Sequence, residues 1–159
     1  MSKLKPSLPT EEEWDGAKGQ FPDLQKSNYF LIDRITAGVK DTPNCVGVTL
    51  NDPTYAEDIG NVGEMKKIYA DHGFVPCGNV NDQDALIIVM AANTGGDQPD
   101  KVACTHAYVK LSCYNLFDTT GLPADLWETK NYPYETFTHG RNEVNCEMWG
   151  EPVIAFKRK

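Results

Sequence analysis

From Tyr29 onward, Tyr29, Leu31, Asp33 and Ile35 alternate with Phe30, Ile32 and Arg34, a period of two that predicts a strand over residues 28–36 with both faces partly apolar. A turn-rich stretch carrying Gly38, Asp41 and Pro43 leads to a second expected strand over 45–50. The two are expected to form a long-looped antiparallel pair, which Asn51-Asp52-Pro53 ends. Over 61–72 the period changes: Val62, Met65, Ile68 and Tyr69 fall on one face at spacings of three and four, with Asn61 in the N-cap position and Gly73 at the stop. That pattern predicts a helix. The unbroken apolar run over 85–91, rich in Ile and Val, predicts a strand covered on both faces in the middle of a sheet.

Residues 101–117 fit both periods. Cys104, Ala107, Tyr108, Leu111 and Tyr114 make a helical stripe, while Val109, Leu111, Cys113 and Asn115 share one face of a strand; length favours the helix. A helical turn opened by Pro123 is expected over 122–128, a surface loop over 129–143 and a closing strand over 153–157. The resulting class is α+β: a mixed β-sheet with strands near 28–36, 45–50, 85–91 and 153–157, packed by helices near 61–72 and 101–117.

Residues 1–27 differ from the rest. Pro6, Pro9 and Pro22 punctuate a polar stretch, which reads as an extended arm ahead of a single globular domain over 28–159. Within it, Thr10 followed by Glu13 matches a capping box and predicts a short helix over 11–18, stopped by Gly19, with acids at the positive end of its dipole. Trp14 is its one large apolar residue. So short a helix does not persist alone, so Trp14 needs a surface, either the chain's own body or a neighbouring subunit.

Composition narrows the function classes. The chain has 159 residues, 40% hydrophobic and 24% charged, which suits one globular core. No apolar run approaches the ~18 residues that span a bilayer, and the N-terminus lacks an apolar signal core, so a cytoplasmic protein without a membrane contact is expected. The net charge of −8 weighs against direct binding to a nucleic-acid backbone and favours basic partners. Lys157, Arg158 and Lys159 read as a solvated tail. Cys45, Cys77, Cys104, Cys113 and Cys146 are scattered with no Cys-x-x-Cys pair, so they read as packed thiols in a reducing compartment. No metal site and no cofactor is expected.

The densest polar cluster is Thr138-His139-Gly140-Arg141-Asn142-Glu143, where an imidazole, a guanidinium and a carboxylate share a loop preceded by Tyr132, Tyr134 and Phe137. Aromatic residues with arginine suit an interface hot spot, and a few convergent polar groups suit a small-molecule pocket. Cys104 and His106, two apart, would share a face on a strand and diverge on a helix. The Gly95-Gly96 loop follows the most buried strand but carries Asp97 and Asp100, which would repel a phosphate.

These features point to a non-enzymatic protein acting by protein–protein contact, as an assembly subunit, accessory factor or inhibitor, with a protein partner or a second copy bound through Trp14, Tyr132, Tyr134, Phe137 and Arg141. The competing reading is a small cytosolic enzyme or ligand-binding domain for an anionic metabolite. There Arg141 would clamp the anion, His139 would move a proton, and Glu143, Cys104 or His106 would assist.

Overall fold

The computed structural model describes residues 3–33, 44–52, 54–55, 57–130 and 136–159. A seven-stranded sheet dominates it, in the order β1-β6-β5-β4-β3-β7-β2. The strands are β1 Leu31–Ile32, β2 Phe74–Pro76, β3 Ile87–Ala91, β4 His106–Lys110, β5 Trp127–Lys130, β6 Thr136–His139 and β7 Glu151–Arg158. Helices α1 Glu11–Gln20, α2 Cys45–Leu50 and α3 Val62–Asp71 complete an α+β protein. Every pairing between these strands is antiparallel, so the sheet is not mixed.

The unbroken apolar run behaves as its composition requires. β3 is buried along its whole length between β4 and β7. Its two faces feed two cores: Ile87, Val89 and Ala91 join the helices, while Ile88 and Met90 join the N-terminal segment. The helix over 61–72 is α3, opened by a capping box in which Asn61 Oδ1 accepts from Glu64 N (2.8 Å) and Glu64 Oε1 accepts from Asn61 N (3.0 Å). Met65 and Tyr69 are its buried stripe. The closing strand is longer than its apolar part because β7 pairs with both β3 and β2.

Four local expectations are overturned. Residues 45–50 form helix α2, not a strand: Asn44 caps it by accepting from Gly47 N, and Asn51 ends it at φ 53°. Val46 through Leu50 are all buried, so alternation carried no information there. The helix expected over 101–117 is instead a 3-10 turn at Pro99–Lys101 followed by β4. The stripe misled because β4 is covered on both sides, with Ala107 and Val109 under the helices and Tyr108 on the opposite face. The helical turn at 122–128 and the surface loop at 129–143 give way to the antiparallel neighbours β5 and β6, whose described residues are all buried. Threonine and aromatic residues at 127–139 suit a pleated surface better than a loop.

The strand expected over 28–36 contracts to the two residues of β1, and its part beyond Asp33 lies outside the described residues. β1 is an edge, and the N-terminal segment closes it: Ser7 and Leu31 exchange backbone hydrogen bonds of 2.9 and 2.8 Å. Residues 3–30 therefore lie on the chain's own body. Leu4 bridges Phe117, α1 runs two residues past the expected Lys18, and Phe21 and Leu24 are buried in the sheet core. The C-terminal triplet is likewise not a free tail, since Lys157 and Arg158 pair with Val75 and Phe74, and the Arg158 guanidinium lies over the Phe74 ring at 5.0 Å.

Candidate functional site

The residues with the most chemistry gather on the sheet face beneath the N-terminal segment. β4 and β6 place His106, Tyr108, Phe137 and His139 there, and β5 adds Trp127 and Thr129. Over them lie Phe21, Leu24, Tyr29 and Trp149. His106 stacks on Trp149 with ring centroids 3.5 Å apart and an interplanar angle of 5°, and its Nε2 is 2.7 Å from Thr129 Oγ1. His139 meets Tyr108 edge to face at 4.8 Å. His139 Nδ1 lies 2.6 Å from the Gly140 carbonyl, which can only accept, so Nδ1 carries the proton and Nε2 holds a lone pair. That Nε2 is buried with no hydrogen-bond partner. Burial drives the His139 pKa down to about 4, and burial, then the neighbouring His139, drives His106 well below its ordinary value. Both rings are neutral at pH 7.

Arg141 and Glu143 are committed to the turn after β6. The Arg141 guanidinium lies over Trp127 at 5.0 Å and donates to the carbonyls of Asp82 (2.9 Å) and Val80 (3.4 Å). Its own carbonyl accepts from the Tyr108 hydroxyl. Glu143 accepts from Gly140 N (2.7 Å) and from the Asn28 side chain (2.8 Å). The polar cluster thus fastens three pieces of chain together: the 140–143 turn, the loop at 80–82 and the N-terminal segment at Asn28. His139 is brought beside Phe137, with centroids 5.9 Å apart, but behind a wall of aromatic rings. Tyr132 and Tyr134 lie outside the described residues.

Cys104 and His106 do not form a pair. The chain between them is not yet strand, so Cys104 enters the core under the helices while His106 turns to Trp149. Burial raises the thiols of Cys104 and Cys45 to about 11, which keeps them protonated and unreactive at neutral pH. Trp14 is half-buried with its ring 5.7 Å from Tyr29 of the same chain, so the surface it needs is its own body. Among the described residues no group of three His, Cys, Asp or Glu side chains is placed to hold a metal ion. No helix among them is long and apolar enough to cross a membrane.

An open groove of about 580 Å³ lies beside the Gly95-Gly96 loop, lined by Asn93, Asp97, Gln98 and Lys101 among others. Its far rim is the Pro99–Lys101 turn, held to α3 by an ion pair of 2.7 Å between Asp100 and Lys66. His139 and Arg141 are not among its lining residues. Sequence reasoning also missed Glu128 and Lys130, buried charges on β5 opposite Thr138 and Thr136. Their signal was the alternation with Trp127 and Thr129, which becomes readable once 127–130 is recognised as a strand. Compared with family models, with curated proteins and with solved structures, the chain matches none.

Proposed function

We propose that the protein works by contact with another protein chain rather than by turning over a substrate. The observation that carries this reading is the commitment of Arg141, His139 and Glu143 to internal partners: the Arg141 guanidinium lies over Trp127 and its Nη1 donates to two backbone carbonyls, which makes it a tie between loops. A base sealed at His139 cannot reach a substrate without opening the core. What the surface offers instead is an acidic body, net charge −8, with two large apolar side chains exposed among the described residues, Leu8 at 80% and Met148 at 65%. The acidity favours a basic partner surface by long-range steering. Five unbridged cysteines fit a cytoplasmic setting. Trp14, resting on Tyr29, contributes its exposed edge at most.

The test places a photo-crosslinking amino acid at Leu8, at Met148 and, as control, at the exposed Lys67 on α3 of the full chain, in cells that express it. A crosslinked species of defined mass is expected at position 8 or 148 and absent at 67. Its mass tells a second copy from a different protein. Equal labelling at all three positions, or none at 8 and 148 in folded protein, would overturn the proposal.

A further inference from the structure

The layer between the N-terminal segment and the sheet is held by rings that include two neutral imidazoles. Phe21 stands 4.8 Å from Trp149 and 5.6 Å from Phe137. Trp149 stacks on His106, and Phe137 neighbours His139. Tyr29 adds a second route, 5.4 Å from Phe137 and 5.7 Å from Trp14. The cover itself is a self-contained unit. From Thr10 to Leu24 its described backbone hydrogen bonds stay within the segment, Lys18 binds the carbonyls of Pro22 and Leu24, and Lys26 pairs with Glu11 at 2.8 Å. Side-chain packing, rather than a backbone ladder, therefore holds this stretch to the sheet, which marks it for opening on its own.

Among the described residues, the groups around the imidazoles offer a cation no ready counter-charge. On β4 His139 faces Tyr108, with His106 on the same strand; on β5 it faces Trp127, whose Nε1 donates to Asp125 at 3.2 Å. Its own turn supplies Arg141, already cationic, and Glu143, which is engaged by Gly140 and Asn28. The loop at 80–82 presents the Asp82 carbonyl to Arg141, and the segment brings Tyr29 with Glu13 beyond it. We propose that this aromatic–imidazole layer is an acid-operated latch: protonation of His139 and His106 frees residues 10–24 from the sheet while the face under α2 and α3 stays folded. Residues 28–30 stay tied to β6, where Thr138 N donates to the Phe30 carbonyl at 2.8 Å and Thr138 Oγ1 to the Asn28 carbonyl at 2.7 Å.

The sign follows from linkage. In the docked state burial keeps the His139 pKa at about 4 and His106 low, whereas the released rings return to about 6.5. The released form binds more protons between those values. Docking is thus complete above about pH 6.5 and weakens as pH falls toward 4. Each histidine that charges only on release multiplies the opening constant about tenfold per pH unit in that window. This inference stands apart from the contact proposal, since it concerns the segment's own docking and needs no partner.

Hydrogen exchange on the full chain tests it, with amides of residues 14–24 compared with those of β3 from pH 7 to pH 5 after correction for intrinsic exchange. Protection at 14–24 is expected to fall at least tenfold per pH unit below about pH 6, with β3 still protected. In His139→Phe that slope drops by about tenfold per pH unit. Because the variant could fold poorly, the wild-type imidazoles are also titrated by NMR, where both rings are expected to stay neutral until the segment opens. Loss of protection at 14–24 and in β3 together, an unchanged slope in folded His139→Phe, or rings that titrate near 6.5 with the segment still protected would each overturn the latch.

Discussion

The two faces of the sheet are covered in different ways. Under α2 and α3 the core is largely aliphatic: Val46, Val48, Leu50, Val62 and Met65 meet Ile87, Val89 and Val109, with Tyr69, Phe74 and Phe156 among them. Thr49 Oγ1 and Tyr69 OH lie 2.6 Å apart there and Tyr114 OH donates to the Thr49 carbonyl at 2.5 Å, while the hydroxyl of Tyr55, packed against the same core, is buried without a partner. Under the N-terminal segment the core is aromatic, and it holds a buried imidazole nitrogen without a partner. The packing under the helices holds no imidazole, although β5 sets the buried Glu128 opposite Val109, and the thiols there are protonated at neutral pH. The two covers therefore differ in that one depends on two rings staying uncharged. The same sheet carries a permanent cover on one side and a conditional one on the other.

The largest expected effect is at the hinge between them. Gly150 has φ 78°, and a Cβ there would run into the Ala91 carbonyl and Ala92 Cα at the end of β3, just beyond the register shift between Val89 and Met90. Gly150→Ala should cost about 4 kcal/mol in urea unfolding, because it forces backbone apart and unseats Trp149 beside it. A variant of native stability would mean that the 146–150 turn does not lock the aromatic layer. The next pair separates the covers. Met65→Ala, under the helices, should lower protection everywhere by about 3 kcal/mol. Phe21→Ala removes a ring of comparable burial, with a truncation cost also of about 3 kcal/mol, yet at neutral pH it should strip protection from residues 14–24 and leave β3 exchanging slowly. If Phe21→Ala instead acts like Met65→Ala, with uniform loss read by exchange, both covers belong to one cooperative unit.

The sequence made some of this contrast readable and hid the rest for definite reasons. The capping box of α1, the Asn61 N-cap, the α3 stripe and the interior strand at 85–91 were legible because local hydrogen bonding and one-sided or complete burial leave plain periodicities. Residues 45–50 and 101–117 were misassigned because burial on several sides erases periodicity: Val46 through Leu50 are buried in α2, and Tyr108 and Val109 face opposite cores. The polar cluster at His139, Arg141 and Glu143 was found, but its role was not. Whether a guanidinium faces solvent or the Asp82 carbonyl is decided by a contact 59 residues away in sequence, which no local pattern records. His106 and Trp149 were invisible as a pair for the same reason, since 43 positions separate two rings that stack face to face (149 minus 106).

The smallest expected effect gives the sharpest contrast, because the same device occurs once under each regime. Thr10 and Glu13 cap α1 through bonds of 3.1 and 2.7 Å, and Asn61 and Glu64 cap α3 through bonds of 2.8 and 3.0 Å. Each N-cap is worth about 1 kcal/mol, so Thr10→Ala and Asn61→Ala should destabilise their helices equally at pH 7. Toward pH 4 they should part. The helix α1 has ten residues and buries none of them fully, so once its segment leaves the sheet it is too short to persist, and its cap no longer contributes to stability. The α3 cap keeps its value because Met65 and Tyr69 remain packed. Each box contains one glutamate, so whatever acid does to that carboxylate is shared and cancels in the difference. The measurement is the ratio of the two stability losses across pH by chemical denaturation: a ratio that falls from about one toward zero supports conditional docking of α1, and a ratio that stays near one places α1 under the same permanent regime as α3.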